Sequence, residues 1–524
     1  MAPPILGTSG FLRAKRILSL QPGVEGDALW WQDGWVRMVG KAREMERLVP
    51  SSVPRIDLLR TTVTPGLVDG HTHFGMWALG RQRVHLGGAG TRAEALRRVE
   101  AGLPEQGWMR GFGWDANRWE AQPHRWALDR VTAQVPAFLE SADVHAAWVN
   151  SAALALAGIT RATPDPAGGR VVRDASGEPT GLLLERAVEL VRQFLPPTDP
   201  DRLRTSIEAA QAEAHKVGIT GIHNVEGLDA LRAFRELDAQ NRLRLRVLFH
   251  PPVAQLPLLL EAGVRSGQGG PWLRLGGVKL FFDGTLGSRT AWMLEPYEDG
   301  RDRGMPLATE AEARAAVQAA AGGGIALAIH AIGDAAVRRV LDLLAEAPMV
   351  DLPHRIEHLQ CVHPADLGRA AELGVVASMQ PSHLPGDVAL AEERWGRRVA
   401  GAYAFRSLLE RGTILAFGSD APVTTLDPRI GLAAAMTRLP GDGRHPAGWQ
   451  TEEVLSFDEA LSAYTLGNAL ASGTTRTHGR VAPGFAADFV AWEWDPALGH
   501  GEGAAILTAQ PRLTVVGGEV VWAG

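Results

Sequence analysis

The 524-residue chain has few of the features that mark secreted, membrane or nucleic-acid-binding proteins. Its one cysteine, Cys361, excludes an internal disulfide and is typical of a reducing compartment. No stretch approaches the roughly 20 apolar residues of a membrane span, and the start of the chain has no pattern of a secretory signal. The net charge of −6 provides no basic surface for nucleic acid. We therefore expect a cytoplasmic globular protein without nucleic-acid or membrane partners.

Both ends of the chain have the sequence patterns of β-strands. Residues 28–31 and 35–39 flank Asp33 and Gly34, and Asp-Gly between two apolar runs is a strong hairpin signal. Neither end alone has enough strands for an independent sheet. We therefore expect residues 1–64 and 475–524 to combine into one composite β-sandwich domain.

The middle of the chain alternates buried-strand patterns with helical patterns. Eight such strands in alternation with helices predict an α/β fold, a (β/α)8 TIM-type barrel at residues 65–474. An open doubly wound sheet is the alternative, but no glycine-rich phosphate loop follows the first strand. The first strand ends at His71 and His73, and the others cover residues 218–223, 243–249, 275–282, 325–330, 355–358, 375–380 and 414–420.

An insertion is predicted after the first barrel strand, at about residues 80–215, because about 140 residues separate the first two strands, far more than a usual crossover. We expect it to contain a β-hairpin at 169–183 and to end with a helix at 205–216. Most of its tryptophans are expected to fill a small core. Because the insertion emerges on the active face of the barrel, one or two of these rings can also line a substrate pocket.

The strand ends carry side chains that suit metal chemistry. His71 and His73 lie two residues apart on an extended strand, so both imidazoles project from one face and can bind one metal ion. Four imidazoles and a carboxylate suit Zn²⁺ or a similar divalent ion, which would lower the pKa of a bound water toward ~7. Asp420 is then placed to contact the metal and to accept the proton of that water. The candidate ligands are His71, His73, Lys279, His330, His358 and Asp420.

Lys279 is the unusual member of this set because an ammonium group beside metal ions would be repelled. A buried lysine with a lowered pKa can react with CO₂ to give an anionic carbamate, which can bridge two metals. The alternative is a lysine whose amine reaches the rim of the barrel and pairs with a carboxylate such as Asp283. We predict that Lys279 is carboxylated.

Several motifs resemble the metal-dependent amidohydrolase superfamily and, within it, the amidohydrolase-3 branch of YtcJ-like and N-substituted formamide deformylase-like proteins. These motifs lie at residues 65–73, 278–284, 329–334, 355–358, 418–422 and 479–488. The resemblance implies a barrel with a composite β-sandwich, one or two divalent metals and hydrolysis of carbon–nitrogen bonds.

The ligand set can be carried over from the resemblance residue by residue. It implies that His71 and His73 hold the first metal and that Asp420 completes its shell. It further implies that His330 and His358 hold the second metal, while Lys279 bridges the two as a carbamate.

Seven further residues are candidates for substrate contact. Residues 113–115 and 145–151 resemble branch motifs of the insertion, and other candidates follow the fourth and seventh strands on the active face. His223 closes the second strand and can equally be an ordinary packed histidine. The candidates are Trp114, Asp115, His145, His223, Arg289, Gln380 and His383.

These observations predict a hydrolase of N-acyl or N-formyl amines or related non-peptide amides, in which a metal-activated hydroxide attacks the carbonyl and Asp420 relays the proton. The same apparatus can cleave a cyclic amide or deaminate a ring. A non-catalytic scaffold is a third alternative, and it would be expected to have lost ligands that this sequence retains. The expected partner is a small-molecule amide, and the oligomeric state, for which a homodimer is one option, is open.

Overall fold

The computed structural model describes residues 7–298, 300, 302–494 and 503–524. Residues 1–6 and 495–502, which the predicted terminal domain includes, lie outside the described residues. In the described part, no helix combines the length and the apolar character that a membrane crossing requires.

The N-terminal part of the chain begins with strands, as predicted. Its elements are β1 (Gly10–Leu18), β2 (Glu25–Gln32), β3 (Trp35–Gly40), α1 (Ala42–Met45) and β4 (Arg55–Pro65). Strands β2 and β3 form the predicted hairpin, in which Gln32 pairs with Trp35. The turn residues Asp33 and Gly34 have φ angles of 54° and 81°. A two-residue turn that matches strand twist requires such positive values, which explains why Asp-Gly stands there.

The first parallel strand and its helix, β5 (Leu67–Thr72) and α2 (Phe74–Gly80), are followed by the predicted insertion. Its elements are β6 (Val84–His85), α3 (Arg92–Glu100), β7 (Met109–Trp114), α4 (Arg125–Thr132), β8 (Ala137–Ser141), β9 (Ala146–Val149), α5 (Ser151–Leu156), β10 (Gly169–Arg173), β11 (Pro179–Glu185) and α6 (Glu189–Arg192). They include a sheet of strand order β10-β11-β9-β8-β7-β6. Helix α7 (Pro200–Lys216) then returns the chain to the parallel strands.

Two local predictions for the insertion are confirmed. Strands β10 and β11 pair as an antiparallel hairpin, and α7 covers the predicted helix, with Asp199 as its N-cap. The rings of Trp114, Trp119 and Trp148 pack against one another with centroids 5.7 to 6.5 Å apart. These tryptophans therefore fill a core, as expected for most of them.

The remaining parallel strands alternate with helices along the chain. They are β12 (Ile219–Val225), α8 (Leu228–Ala239), β13 (Arg246–His250), α9 (Leu256–Glu261), β14 (Leu273–Leu275), β15 (Val278–Phe281), α10 (Glu310–Gly322), β16 (Leu327–Ala331), α11 (Asp334–Ala345), β17 (Arg355–His358), α12 (Arg369–Glu372), β18 (Val376–Met379), α13 (Leu384–Trp395), α14 (Phe405–Glu410), β19 (Leu415–Phe417), α15 (Pro428–Thr437), α16 (Phe457–Tyr464) and α17 (Leu466–Ala471). Most of these strand residues are buried, which is why the strands are apolar runs rather than alternating patterns.

The parallel strands form two sheets, of order β14-β13-β12-β5 and β15-β16-β17-β18-β19. Two isolated parallel bridges connect the sheets, between Pro252 and Lys279 and between Thr72 and Ala421. The predicted fourth strand at 275–282 is divided between β14 and β15, which lie in different sheets, so nine described strands correspond to the eight predicted ones. The two bridges are connections that an eight-stranded barrel needs, and closure of the barrel stays a prediction. The α/β architecture with parallel sheets agrees with the sequence analysis.

The C-terminal strands β20 (Phe489–Glu493), β21 (Gln510–Val516) and β22 (Glu519–Ala523) join the N-terminal ones in a sheet of order β22-β21-β20-β4-β1-β2-β3. Strands β2 and β20 are separated by two others in this order, yet the rings of Trp31 and Phe489 lie 5.2 Å apart. The sheet therefore curls over its own apolar face. Both ends thus build one curled sheet, whereas the sequence analysis expects two packed sheets, and the limits of the predicted domains stay predictions.

Candidate active site

The carboxyl ends of the parallel strands bring the predicted ligands together. His71 lies near the end of β5, His330 near the end of β16 and His358 at the end of β17, while Asp420 follows β19. The carboxyl ends of parallel strands lie at the same edge of their sheet, so side chains from distant parts of the sequence meet there. Asp420 and His358 have positive φ angles of 59° and 72°, a conformation that non-glycine residues adopt at some energetic cost and that is common at functional sites.

The tightest group of candidate ligands consists of His71, His73 and Asp420. In the described part of the chain, these residues place one ligand atom each within 4.8 Å of one another. The Oδ1 atom of Asp420 lies 3.5 Å from Nε2 of His71 and 3.2 Å from Nε2 of His73. Two imidazoles and a carboxylate around one point are a set that binds a divalent cation.

His330 and His358 lie beside this group. Their ring centroids are 4.4 Å apart, and the ring of His358 is 5.3 Å from that of His71. The sequence analysis assigned these two histidines to a second metal, and the structure brings them next to the first group. Their roles as ligands stay predictions.

Buried polar atoms that lack a hydrogen-bond partner indicate whether these residues could bind a metal ion. A buried polar atom without a hydrogen-bond partner destabilises the folded protein by about 1–3 kcal/mol, because nothing replaces its lost contact with water. Within the described residues, such buried atoms include His71 Nε2, His330 Nδ1, His358 Nδ1, Asp420 Oδ1 and Lys279 Nζ. Lone pairs that lie close together and lack donors are what a bound cation would satisfy, so His71, His73 and Asp420, whose ligand atoms lie within 4.8 Å of one another, fit a divalent metal ion.

The other nitrogen of each of three imidazoles makes a hydrogen bond that orients the ring. Nδ1 of His71 donates to the Glu357 carboxylate, and Nδ1 of His73 donates to the carbonyl of Val225 at 2.6 Å. Nε2 of His330 donates to the carbonyl of Gly284 at 3.1 Å. These contacts leave the opposite nitrogen deprotonated and directed toward the cluster, which is the usual arrangement of histidines that bind metals.

Burial keeps the imidazoles of His71, His330 and His358 neutral. Burial, with the charge of Lys279, lowers the pKa of His71 to about 4. Burial also lowers the pKa of His330 and His358 well below the usual value. For Asp420, burial opposes ionisation, but positive charge in this cluster, on an imidazole or on a bound cation, outweighs burial and lowers the pKa of the carboxyl well below its usual range. Neutral imidazoles and an ionised carboxylate are the protonation states in which these groups bind metal.

Lys279 lies with the cluster rather than at the rim. It is buried, and burial lowers its pKa to about 8. The predicted alternative, a pair with Asp283, is wrong: the carboxylate of Asp283 accepts hydrogen bonds from the backbone of Trp292, Ile332 and Gly333 instead. A lysine that has a lowered pKa, and whose amine has no hydrogen-bond acceptor among the described residues, has the features that favour carbamate formation.

A second group of buried charges lies beneath the ligands and was not assigned a role from the sequence. The guanidinium of Arg355 donates to Glu357, to Nδ1 of His223 at 2.8 Å, to the carbonyl of Gly70 and to Ser378. Strand alternation could have indicated that Arg355 and Glu357 share a face of β17. The contact with Arg355 favours the packed-histidine alternative for His223.

A cavity of about 730 Å³ opens above the cluster. Five of the seven predicted substrate residues line it, together with His330, His358 and Asp420, whereas His223 and Gln380 do not line the described cavity. The amide of Gln380 donates instead to the carbonyl of Ser378. The five residues on the wall are Trp114, Asp115, His145, Arg289 and His383.

His145 is held by a carboxylate that was not predicted. Its Nδ1 lies 2.7 Å from Glu185, whose other oxygen accepts a hydrogen bond from Thr290. Burial would lower the pKa of His145, but Glu185 and Asp143 outweigh it and raise the pKa to about 9. The insertion thus presents a cationic imidazole to the cavity, with its ring centroid 5.3 Å from that of His330.

Comparison with known proteins agrees with this combination of fold and site. Residues 55–522 match the model of the amidohydrolase family, and the chain belongs to that family. The match begins in β4 and ends in β22, so it covers both parallel sheets and the insertion.

Relatives of similar length support the assignment. The YtcJ protein of Bacillus subtilis (strain 168) is 30% identical over 522 residues, which cover 96% of this chain and 97% of that protein. The N-substituted formamide deformylase of Arthrobacter pascens is 28% identical over 489 residues, 88% of this chain and 89% of the enzyme. The crystal structure of an uncharacterized metal-dependent hydrolase from Pyrococcus horikoshii OT3 superposes with a TM-score of 0.77 at 28% identity, covering 95% of this chain and 99% of that chain.

Proposed function

We propose that the protein hydrolyses non-peptide carbon–nitrogen bonds in N-acyl or N-formyl amines. The observation that supports this most is the cluster of His71, His73 and Asp420, with His330 and His358 beside it, at one end of a large cavity. The similarity to an N-substituted formamide deformylase supports a formamide or related amide as the substrate.

We further propose that the site binds one or two Zn²⁺ ions. His71, His73 and Asp420 would hold the first, and His330, His358 and a carboxylated Lys279 would complete the second. A divalent ion at such a site lowers the pKa of water and polarises a carbonyl group.

Asp420 is the proposed proton carrier. Its pKa lies well below the usual range, so the carboxylate is ionised at neutral pH, and Oδ1 has no hydrogen-bond partner among the described residues. It accepts the proton released when water attacks the carbonyl carbon of the substrate. It then donates this proton to the nitrogen as the carbon–nitrogen bond breaks, so that the products are a carboxylic acid and an amine.

The walls of the cavity suit an amide with an apolar substituent. Trp114, Leu182 and Leu184 of the insertion form an apolar side, while His145 and His383 lie on polar parts of the wall. The apolar substituent would contact the first three side chains. A hydrogen bond from His145 would orient the acyl oxygen.

The proposal is tested by assaying the zinc-loaded protein with an N-benzyl formamide, an N-benzyl acetamide and a cyclic amide. We expect amine release from one or both open-chain amides, and Asp420→Asn should reduce turnover by at least about 10²-fold even when added zinc restores the metal content of the variant. Hydrolysis of the cyclic amide alone would contradict the proposed open-chain substrates and would indicate a cyclic amidase. A protein that purifies without stoichiometric metal and turns over none of the three would be a scaffold rather than an enzyme.

The proposed carbamate has a separate test. Lys279→Ala should lower metal content and turnover together, and millimolar formate or acetate should restore part of both, because a free carboxylate can occupy the place of the carbamate. Lys41→Ala, which changes an exposed lysine, is the control and should behave as the parent protein. A bare amine in the electron density of the fully metal-loaded protein would contradict the carbamate.

A further inference from the structure

A second large cavity lies at the opposite ends of the parallel strands. This floor cavity has a volume of about 450 Å³ and is lined at one side by the first residues of β5, β12 and β13, including Val68, Thr220 and Arg246. Its other side consists of residues that follow α17 and of the motif at 479–488. The proposed hydrolase function uses none of these residues.

The lining of the floor cavity is strongly cationic, although the whole chain carries a net charge of −6. It contains four arginines, Arg246, Arg274, Arg476 and Arg480, and one carboxylate, that of Asp488. Guanidinium groups that share a cavity repel one another unless anions neutralise them. An excess of positive charge in a concave site therefore indicates an anionic ligand.

The single carboxylate is already paired. Asp488 accepts hydrogen bonds from Nε and Nη2 of Arg246 at 3.0 and 3.2 Å and from the backbone of Gly517. The guanidinium of Arg246 also stacks on the ring of Trp272, 4.1 Å from its centroid. Asp488 therefore balances Arg246 and leaves the other three arginines without a carboxylate in the described part of the chain.

Uncharged groups hold one of these three guanidinium groups in place and surround a second. Arg274 donates through Nε to the carbonyl of Gly267 at 3.0 Å and through Nη1 to that of Ser472 at 2.9 Å. Arg480 faces the ring of Phe485 at 6.0 Å, and its Nε is buried without a partner in the described residues. A fixed guanidinium group such as that of Arg274 loses little conformational entropy when it binds a ligand, and the unpartnered Nε of Arg480 is a donor that an anion could accept from.

We propose that the floor cavity binds a small molecule through an oxyanion, a phosphate or a carboxylate group. Arginine side chains bind both groups with paired, charge-assisted hydrogen bonds. Trp35 and Trp272 add aromatic walls to the same cavity, so the ligand carries the oxyanion on a planar or apolar body.

The floor cavity also has a physical connection to the candidate metal ligands. His223 lines the cavity, and its Nδ1 accepts a hydrogen bond from Arg355. Arg355 in turn donates to Glu357, which holds the ring of His71. A chain of hydrogen bonds thus runs from His223 on the wall of the floor cavity to His71 in the candidate active site.

The test is calorimetric titration of the full-length, metal-loaded protein with inorganic phosphate and, separately, with benzoate. We expect one binding event per chain for at least one probe. If phosphate binds, the proposed ligand carries a phosphate group. If benzoate binds, the proposed ligand carries a carboxylate on an apolar body. Arg476→Gln, an exposed position in the cavity lining, and Arg480→Gln should each weaken binding about tenfold, because each removes a charge-assisted contact.

The control is Arg161→Gln, which changes an exposed arginine of the insertion outside the cavity lining and should leave the affinity within twofold. Failure of both probes to bind overturns the proposal. Binding that persists unchanged in both Arg476→Gln and Arg480→Gln also overturns it, because the anion then sits elsewhere, for example at the metal ligands. Neither outcome depends on hydrolytic activity, so the result is independent of the proposed function.

Discussion

Two layers of buried polar side chains lie one above the other in the parallel strands, and they differ in how their hydrogen-bonding capacity is met. The ligand layer (His71, His73, Lys279, His330, His358 and Asp420) has unpartnered atoms on five of its members. In the support layer (His223, Arg355, Glu357 and Ser378), every nitrogen of the Arg355 guanidinium has an acceptor.

The difference between the two layers shows that burial of polar groups is not sufficient to identify a binding site. Both layers are removed from water, but in the support layer donors and acceptors match, so the layer is complete without a ligand. The ligand layer has lone pairs in excess and one amine without an acceptor. An unmatched set of polar groups is therefore the feature that distinguishes a candidate site from a structural network.

The largest effect is expected from the ligand layer. Replacing His71 and His73 together by alanine removes two of the three groups that converge within 4.8 Å. We expect loss of at least one equivalent of metal, measured by elemental analysis, and amide hydrolysis at background. His445→Ala, outside both layers, should retain metal and activity. Full metal content and turnover in the double variant would show that the unmatched atoms are not a metal site.

A substitution in the support layer should lower the free energy of unfolding before it affects metal binding. Arg355→Met leaves the carboxylate of Glu357 buried without its cation, and breaking a buried ion pair in this way costs about 3–5 kcal/mol. Urea denaturation should show this decrease in the free energy of unfolding, whereas Arg161→Met should change it by less than about 0.5 kcal/mol. If Arg355→Met lowered the free energy of unfolding by less than about 1 kcal/mol, the matched hydrogen bonds of the support layer would not be a source of stability.

A milder change tests the contact between the layers. Glu357→Gln keeps an oxygen that can accept the Nδ1 proton of His71 but removes the negative charge, which should weaken metal binding by about 10- to 100-fold. Competition with a chromogenic chelator measures this affinity. Unchanged affinity in a folded variant would show that Glu357 orients His71 without tuning its basicity.

The smallest effect is a pH dependence at His250, whose ring packs beside His223 with centroids 6.2 Å apart. Burial, with the charge of Arg355, lowers the pKa of His250 to about 3. An unfolded histidine takes up a proton near pH 6.5, so between these values the unfolded state binds one proton more, and stability decreases as the pH falls. The contribution is about 1.4 kcal/mol per pH unit.

His250→Gln should remove this contribution. The free energy of unfolding, measured at pH 7 and pH 5.5, should therefore decrease less steeply toward acid in the variant than in the parent protein. Identical slopes would show that His250 takes up a proton in the folded state as readily as in the unfolded one.

Much of the fold could be predicted because local chemistry and tertiary structure agree. Asp33 and Gly34 adopt the positive φ angles of the predicted turn. The apolar runs became parallel strands, and His71, His330 and His358 lie at the strand ends where the sequence analysis expected them. The ligand set was predictable for the same reason, since its members lie on the parallel strands or shortly after them.

What could not be predicted depends on contacts between distant segments. Arg355 and Glu357 form a partner network whose other members come from β5, β12 and β18. The same holds for Glu185, which fixes His145 from the neighbouring strand β11. Gln380 was expected on the cavity wall because of its position after β18, but its amide turns back to Ser378. Such orientations follow from three-dimensional neighbours rather than from position along a strand.

The carboxylate of Asp69 fastens the first parallel strand to the last. It accepts hydrogen bonds from the backbone and hydroxyl of Ser419, 350 residues later in the chain, and from the backbone of His71. During synthesis on a ribosome, the first two candidate ligands therefore emerge long before Asp420, the group that completes their cluster. A nascent chain that ends before Ser419 lacks Asp420, so a metal ion that needs all three ligands would bind only after this segment has been synthesised.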